Sequence, residues 1–147
     1  TSMLGGFSVG YDLRRLSAEE IDQTAEYIKI YKELRETVQL GDMYLLRSVY
    51  DSKTPAVIYQ FVSKDKEKSV IFVFANNKGD MGWLEAIKLQ GLKADKKYNI
   101  SLRGVDDKTF DFRPTAGDTL MKMGLTFNIE RMLDDDSTFG CFAVILD

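Results

Sequence analysis

Histidine is absent from this chain of 147 residues. Its absence removes Ser-His-Asp and Cys-His nucleophilic catalysis and the commonest zinc ligand. Cys141 is the single cysteine, so an internal disulfide is excluded, thiolates alone cannot build a metal centre, and nothing points to an oxidising compartment. Positive charge is not in excess: 20 Lys and Arg against 23 Asp and Glu leave a net charge of -3. Nucleic acid and anionic membranes reward clustered Lys and Arg, so neither is expected as a partner. The longest apolar run, Phe139 to Leu146, is too short to span a bilayer and reads as a buried strand. A signal-peptide pattern is also missing, and the expected location is cytoplasmic.

Phosphate-binding and acid–base signatures are equally thin. Gly5, Gly6 and Gly10 do not form G-x-G-x-x-G, and no G-K-[ST] follows them. Asp106-Asp107 and Asp134 to Asp136 are acids adjacent in expected loops. Carboxylates that share glycosidic chemistry must flank a substrate from separate positions, and the run at 134–136 lacks the alternating ligands and glycine of a calcium loop. The residues themselves therefore display no active site, no metal site and no cofactor site.

What is present begins with Gly5 to Leu13, an apolar stretch with glycines that reads as a short strand. Ser17 and Glu20 then form an S-x-x-E capping box. Apolar residues recur at Ile21, Ala25, Ile28, Tyr31, Leu34 and Val38, the spacing of a helix of about twenty residues with one face on a core. Lys29–Glu33 and Lys32–Glu36 have i,i+4 spacing on the expected wet face. Gly41 stands where a helix ends in a left-handed conformation. One strand and one helix cannot bury their own faces, so this unit is expected to be the last of something larger.

After Gly41 the period changes to two. Strands are expected over Asp42–Tyr50, Ala56–Val62, Val70–Ala75, Trp83–Leu89, Tyr98–Arg103, Thr109–Arg113, Thr126–Ile129 and Phe139–Leu146. Turn chemistry lies between them, including the charged loop Lys64 to Lys68. On the first strand, Tyr44, Leu46 and Ser48 share one side, and Met43, Leu45 and Val49 the other. Asp118 is expected to cap one short helical turn that Gly124 ends. About eight short strands at roughly ten-residue spacing describe an antiparallel sandwich. Trp83, Tyr50, Tyr98 and Tyr59 could serve a sugar-binding face, though alternation favours the core for each.

Several motifs, in order, resemble one family. Phe7-Ser8-Val9-Gly10-Tyr11-Asp12-Leu13, Leu16-Ser17-x-Glu19-Glu20, Tyr31-Lys32-x-Leu34-Arg35 and Leu40-Gly41-Asp42-Met43-Tyr44-x-Leu46 are similar to the end of the family 36 glycoside hydrolases, the α-galactosidases. Lys88-x-x-Gly91-Leu92-x-x-Asp95-x-x-Tyr98-x-Ile100 and Gly117-Asp118-x-Leu120-Met121-x-x-Gly124-Leu125 resemble later stretches of the same family. The first motif is shorter than the family's F-G-Y-E-L-D-L in its acid positions, and the arginine that commonly follows the Tyr is replaced by Leu45.

The resemblance implies a mainly β fold: residues 1–40 as the last strand and helix of a (β/α)8 barrel, and residues 41–147 as a C-terminal antiparallel β-sandwich. It implies a parent enzyme that hydrolyses terminal α-linked galactose from raffinose- or melibiose-type oligosaccharides by a retaining two-carboxylate mechanism without a cofactor. Both carboxylates would lie on earlier barrel strands, so no catalytic residue is assigned here, and this segment alone is expected to be inactive. Phe7 and Ser8 are the candidate substrate-binding residues, at the barrel rim. The implied partners are the upstream barrel of the same polypeptide and, through it, the galactoside. The unpartnered helix face is expected to fold back on the sandwich or to be shared with a second copy as a homo-oligomer. The alternative is a non-catalytic sandwich module, carbohydrate-binding or purely structural.

Overall fold

The computed structural model describes residues 2–48, 50, 56–76, 86–103, 112–126 and 139–147. A 23-residue helix, α1 (Ala18–Leu40), precedes the strands β1 (Asp42–Arg47), β2 (Ala56–Val62) and β3 (Ser69–Asn76). Next come β4 (Lys97–Tyr98), β5 (Ile100–Arg103), β6 (Thr115–Ala116), the short helix α2 (Gly117–Lys122) and β7 (Phe139–Leu146). β1, β2, β3, β7 and β5 form one sheet in that order, and β4 and β6 form a second. Every pairing among the described strands is antiparallel.

The large sheet is covered on both faces. Ile58, Ile71, Val73, Val144 and Leu146 point to one side and pack with Ile87, Leu92, Tyr98, Leu120 and Leu125. That second layer is built from β4, β6, α2 and an isolated bridge between Ile87 and Leu125. Phe61, Val70, Phe72, Ala143 and Ile145 point the other way and meet Leu34 and Val38 of α1. A sheet buried on both faces needs near-continuous apolar strands rather than alternating ones. β2, β3 and β7 have that composition. The sandwich expectation therefore holds in layered form, with the helix as a third layer.

α1 starts as its capping box dictates. Glu20 N donates to Ser17 Oγ at 3.3 Å, and Ser17 N donates to Glu20 Oε2 at 2.8 Å. Its end differs from expectation. Gly41 has φ -76, so no left-handed turn is formed. The glycine is required by space instead: a Cβ there would lie 2.3 Å from the Thr37 carbonyl oxygen and 2.5 Å from that of Val62.

Residues 5–12, expected as strand, carry no regular structure and are flanked by 3-10 turns at Ser2–Leu4 and Leu13–Arg15. Strand geometry is held by neighbouring strands, and no strand lies alongside this segment among the described residues. Asp118 does not cap α2. The N-cap is Ala116 with no side-chain bond, and Asp118 pairs with Lys122 at 2.9 Å. Gly124, at φ +83, does end that turn in the left-handed region. Phe112 and Arg113, expected in a strand, lie outside any, as does Thr126. Residues 83–85, 109–111 and 127–129, also expected in strands, fall outside the described residues.

β1 ends at Arg47, short of the expected Tyr50, with Ser48 outside it and Val49 outside the described residues; within it the expected sides hold. Tyr44 and Leu46 pack on the sandwich core, whereas Met43 and Leu45 are exposed on the helix side. A bulge separates the pairs Leu45↔Tyr59 and Arg47↔Ile58.

Candidate functional site

The apolar positions of α1 do not form one stripe. Leu34, Thr37 and Val38 are buried against the sheet, with Ile30 packed beside them. Ile21 and Ala25 are exposed, and Ile28 is half-buried. At about 100° per residue, Ile21, Ala25 and Ile28 share a stripe lying roughly opposite the buried one. Residues 18–29 bury no side chain completely. The second half of α1 thus lies on the sheet, and the first half leaves a groove beside it.

That groove has a volume of about 260 Å³. Its helix wall is Tyr27 and Ile30, its floor includes Phe72, Phe74 and Ala143, and Met3 and Phe7 close one side. Phe7 packs on Tyr31 with ring centroids 5.4 Å apart, and Tyr31 Oη donates to the Gly5 carbonyl at 3.1 Å. Gln39 Nε2 donates to the same hydroxyl at 2.7 Å. The N-terminal segment is thereby strapped along α1. Arg103 is the charged residue of the lining, with its guanidinium 3.6 Å from Glu33. Cys141 lines the groove and is exposed. A sugar site needs several convergent polar groups and a larger volume. This groove suits apolar side chains.

A second crevice, of about 380 Å³, lies between the last turns of α1 and the loop joining β2 to β3. Two of its charged groups are held by ion pairs with residues beside it. Lys64 pairs with Asp42, and Glu67 accepts from Lys93 and, at 2.8 Å, from Lys96. The Lys93 ammonium foremost, then Lys96, holds the Glu67 carboxyl below its usual range. Asp65 is held low by the Ser63 hydroxyl and the Glu67 amide, Asp12 by Arg14, and Glu20 by the Ser17 amide. A general acid needs its pKa raised. These carboxylates are stabilised as anions, Glu67 and Asp12 by ion pairs and Asp65 and Glu20 by hydrogen bonds. Among the described residues no group of three His, Cys, Asp or Glu side chains is placed to hold a metal.

The other candidates disperse. Ser8 is exposed beside Phe7. Tyr98 is fully buried, its hydroxyl accepting from Lys93 N at 3.0 Å and donating to the Lys66 carbonyl at 2.7 Å. Tyr59 is half-buried, edge-on to Phe74 at 6.3 Å, and Tyr50 is exposed. Trp83, Asp106, Asp107 and Asp134 to Asp136 lie outside the described residues. Sequence reasoning missed the groove. Its available signal was Phe72 and Phe74 at alternate positions of a strand whose other face is already apolar.

A five-stranded antiparallel sheet backed by short strands, with one long helix on its other face, defines a mainly β domain. The glycosyl hydrolase family 36 C-terminal domain model matches residues 56–142, and the chain belongs to that family. It is 31% identical over 128 residues to the probable alpha-galactosidase G of Aspergillus terreus, covering 86% of this chain and 16% of that protein. The alpha-galactosidase Mel36A of Lactobacillus acidophilus is 30% identical over 131 residues, covering 88% and 16%. The crystal structure of the GH36 alpha-galactosidase AgaB from Geobacillus stearothermophilus shares the fold with a TM-score of 0.76 at 22% identity, covering 99% of this chain and 18% of that one. The chain thus spans about a sixth of the length of these curated relatives. No helix among the described residues is long and apolar enough to cross a membrane.

Proposed function

We propose that this chain is the C-terminal part of an α-galactosidase that braces the catalytic part of the enzyme. The intact enzyme would release terminal α-linked galactose from raffinose- or melibiose-type oligosaccharides with retention, using two carboxylates upstream of these residues and no cofactor. Residues 1–40 would be the last unit of the catalytic barrel and residues 41–147 the sandwich behind it. Phe7, held by Tyr31, and Ser8 would stand at the barrel rim, where such sites open. The proposed compartment is the cytoplasm, and the proposed partners are the preceding barrel and a further copy of the enzyme.

The observation that carries this reading is the helix. Its second half buries Leu34 and Val38 on the sheet, while Ile21 and Ala25 stay exposed on the other side of its first half, as in a helix shared between two bodies. The relatives named alpha-galactosidases are about six times longer, which supports a second body on the exposed side. The test is hydrolysis of a chromogenic α-galactoside by this chain and by the complete gene product. Activity only in the complete protein is expected. Activity in neither, with sugar binding by this chain alone, would replace the proposal with a carbohydrate-binding module.

A further inference from the structure

We propose that the crevice between the last turns of α1 and the loop joining β2 to β3 binds a neutral, polyhydroxylated ligand, a sugar unit. The site stands on residues of this chain and goes beyond the bracing role. That the sugar is a galactoside rests on the proposed function.

The first observation is a hydroxyl without a partner. Thr37 is 4% exposed and lines the crevice. Its carbonyl accepts from Gly41 N at 3.0 Å, but its hydroxyl has no hydrogen-bond partner among the described residues. Thr24, on the same helix, returns its hydroxyl to the Glu20 carbonyl at 2.7 Å. Burying a hydroxyl without a partner is costly. No side-chain N or O among the described residues is both sealed from the surface and unpaired. The Thr37 hydroxyl therefore keeps an opening, and the crevice is the opening it lines.

The second observation is the pattern of charge. Glu67 is taken by Lys93 and Lys96, Lys64 by Asp42, and Glu33 lies 3.6 Å from Arg103. Asp65 accepts from the Ser63 hydroxyl and the Glu67 amide. Of the charged side chains lining the crevice, Glu36 and Lys68 remain, one of each sign, with no ion-pair partner among the described residues. An anion would meet Glu36 and the C-terminal end of α1, whose last turn carries no basic residue to offset its partial negative charge. A cation would meet Lys68. A carboxylate that accepts, an ammonium that donates and a hydroxyl that does both match a ligand whose own hydroxyls donate and accept. The volume of about 380 Å³ lies within the roughly 300–1,000 Å³ of small-molecule sites. Among the described residues no aromatic ring lines the crevice. Binding then relies on hydrogen bonds open to water and is expected in the millimolar range.

The test is amide hydrogen exchange, read by mass spectrometry, on the complete gene product. The probe is methyl β-galactoside, which an α-galactosidase leaves intact. In peptides covering residues 33–41 and 61–68, exchange is expected to slow about five-fold or more at about 100 mM probe, because openings that expel the ligand become rarer. Glycine at the same concentration controls for solute effects and for a zwitterion held between Glu36 and Lys68, and it should leave these peptides unchanged. Thr37→Val keeps the shape and removes the hydroxyl. It should unfold at the parent's Tm, since no hydrogen bond is lost, and its exchange should slow by less than about two-fold with the probe. Glu36→Gln should reduce the slowing. Glu26→Gln, on the exposed first half of α1, should retain it in full.

Unchanged exchange in the parent protein overturns the proposal. So does equal slowing by glycine, or full slowing in Thr37→Val. Hydrolysis of the chromogenic α-galactoside by the same samples separates the site from the proposed function. Slowed exchange in an inactive protein keeps the site and removes the enzyme assignment, and unslowed exchange in an active one does the reverse.

Discussion

Gln60 lies in the middle of β2, between Tyr59 and Phe61, with no exposed surface. Its amide clamps the backbone of Gln90: Oε1 accepts from Gln90 N at 2.8 Å, and Nε2 donates to the Gln90 carbonyl at 2.9 Å. Nε2 also donates to Ser69 Oγ at 3.1 Å, and Ser69 is fully buried. One side chain therefore holds the second layer against the large sheet. Gln60→Leu preserves volume but leaves the Gln90 amide, the Gln90 carbonyl and the Ser69 hydroxyl without this partner. An orphaned buried polar group costs about 1–3 kcal/mol. The Gln90 side chain is exposed, so water can reach part of its backbone after a small shift, and the total should be about 2–4 kcal/mol rather than the sum of three full penalties. Urea unfolding followed by circular dichroism would read this as a lower midpoint at unchanged slope. Gln60→Glu sharpens the test. A carboxyl in that site is favoured protonated, because burial penalises its anion and the Gln90 carbonyl needs a donor. Its folded pKa would lie above its unfolded one, so the variant should lose stability as pH rises from the unfolded value through the folded one and regain it on acidification. Gln90→Ala is the control, since only the main chain of residue 90 is used, and it should stay within about 0.5 kcal/mol. A Gln60→Leu protein as stable as the parent would refute the clamp.

Gly117→Ala would place a Cβ 2.0 Å from the Lys93 carbonyl oxygen and 3.1 Å from the Tyr98 ring; a loss of about 1–3 kcal/mol is expected from such overpacking, read as a lower Tm. Glu67→Gln should flatten the acid limb of stability. The folded Glu67 carboxyl lies below its usual 4.5 because Lys93 and Lys96 bind the anion, so its contribution is complete above the unfolded pKa and lost as pH falls through the folded one; parent and variant with equal losses on acidification would contradict this. Ser17→Ala removes one arm of the capping box and should cost about 1 kcal/mol in thermal unfolding, with amide exchange rising in the first turn of α1.

Local chemistry made much of this fold legible in the sequence. β2 coincides with its expected bounds, as does β7, because β-branched and aromatic residues there are flanked by clear turn signals. The capping box was equally readable, since both of its hydrogen bonds lie within four residues. The order of the sheet was not, because β3 meets β7 across more than sixty residues of intervening chain. The helix misled through its own regularity: the spacing shows that Ile21 and Leu34 are both helical and apolar, but not that Leu34 is buried on the sheet while Ile21 is exposed. Gln60 was legible in kind though unread. A lone amide inside a strand with two apolar faces must find partners, and the partner here is thirty residues away. Residues 5–12 were misread because glycines amid apolar residues suit a strand only when a neighbour supplies the ladder. The groove went unread: Phe72 and Phe74 alternate within one strand, but Tyr27 and Met3 share no local pattern with them.

β7, the last of the described strands, occupies an interior slot of the sheet. β7 lies between β3 and β5, and β5 pairs with no other strand among those described. On the ribosome, β1, β2 and β3 can pair as a meander as soon as they emerge, but β5 must wait for residues 139–146. Throughout that interval the meander presents the bare edge of β3, one of the most apolar segments of the chain, to whatever is nearby. Such an edge invites pairing with another nascent chain. A chain that lacks residues 139–146 therefore has a split sheet rather than a slightly narrower one.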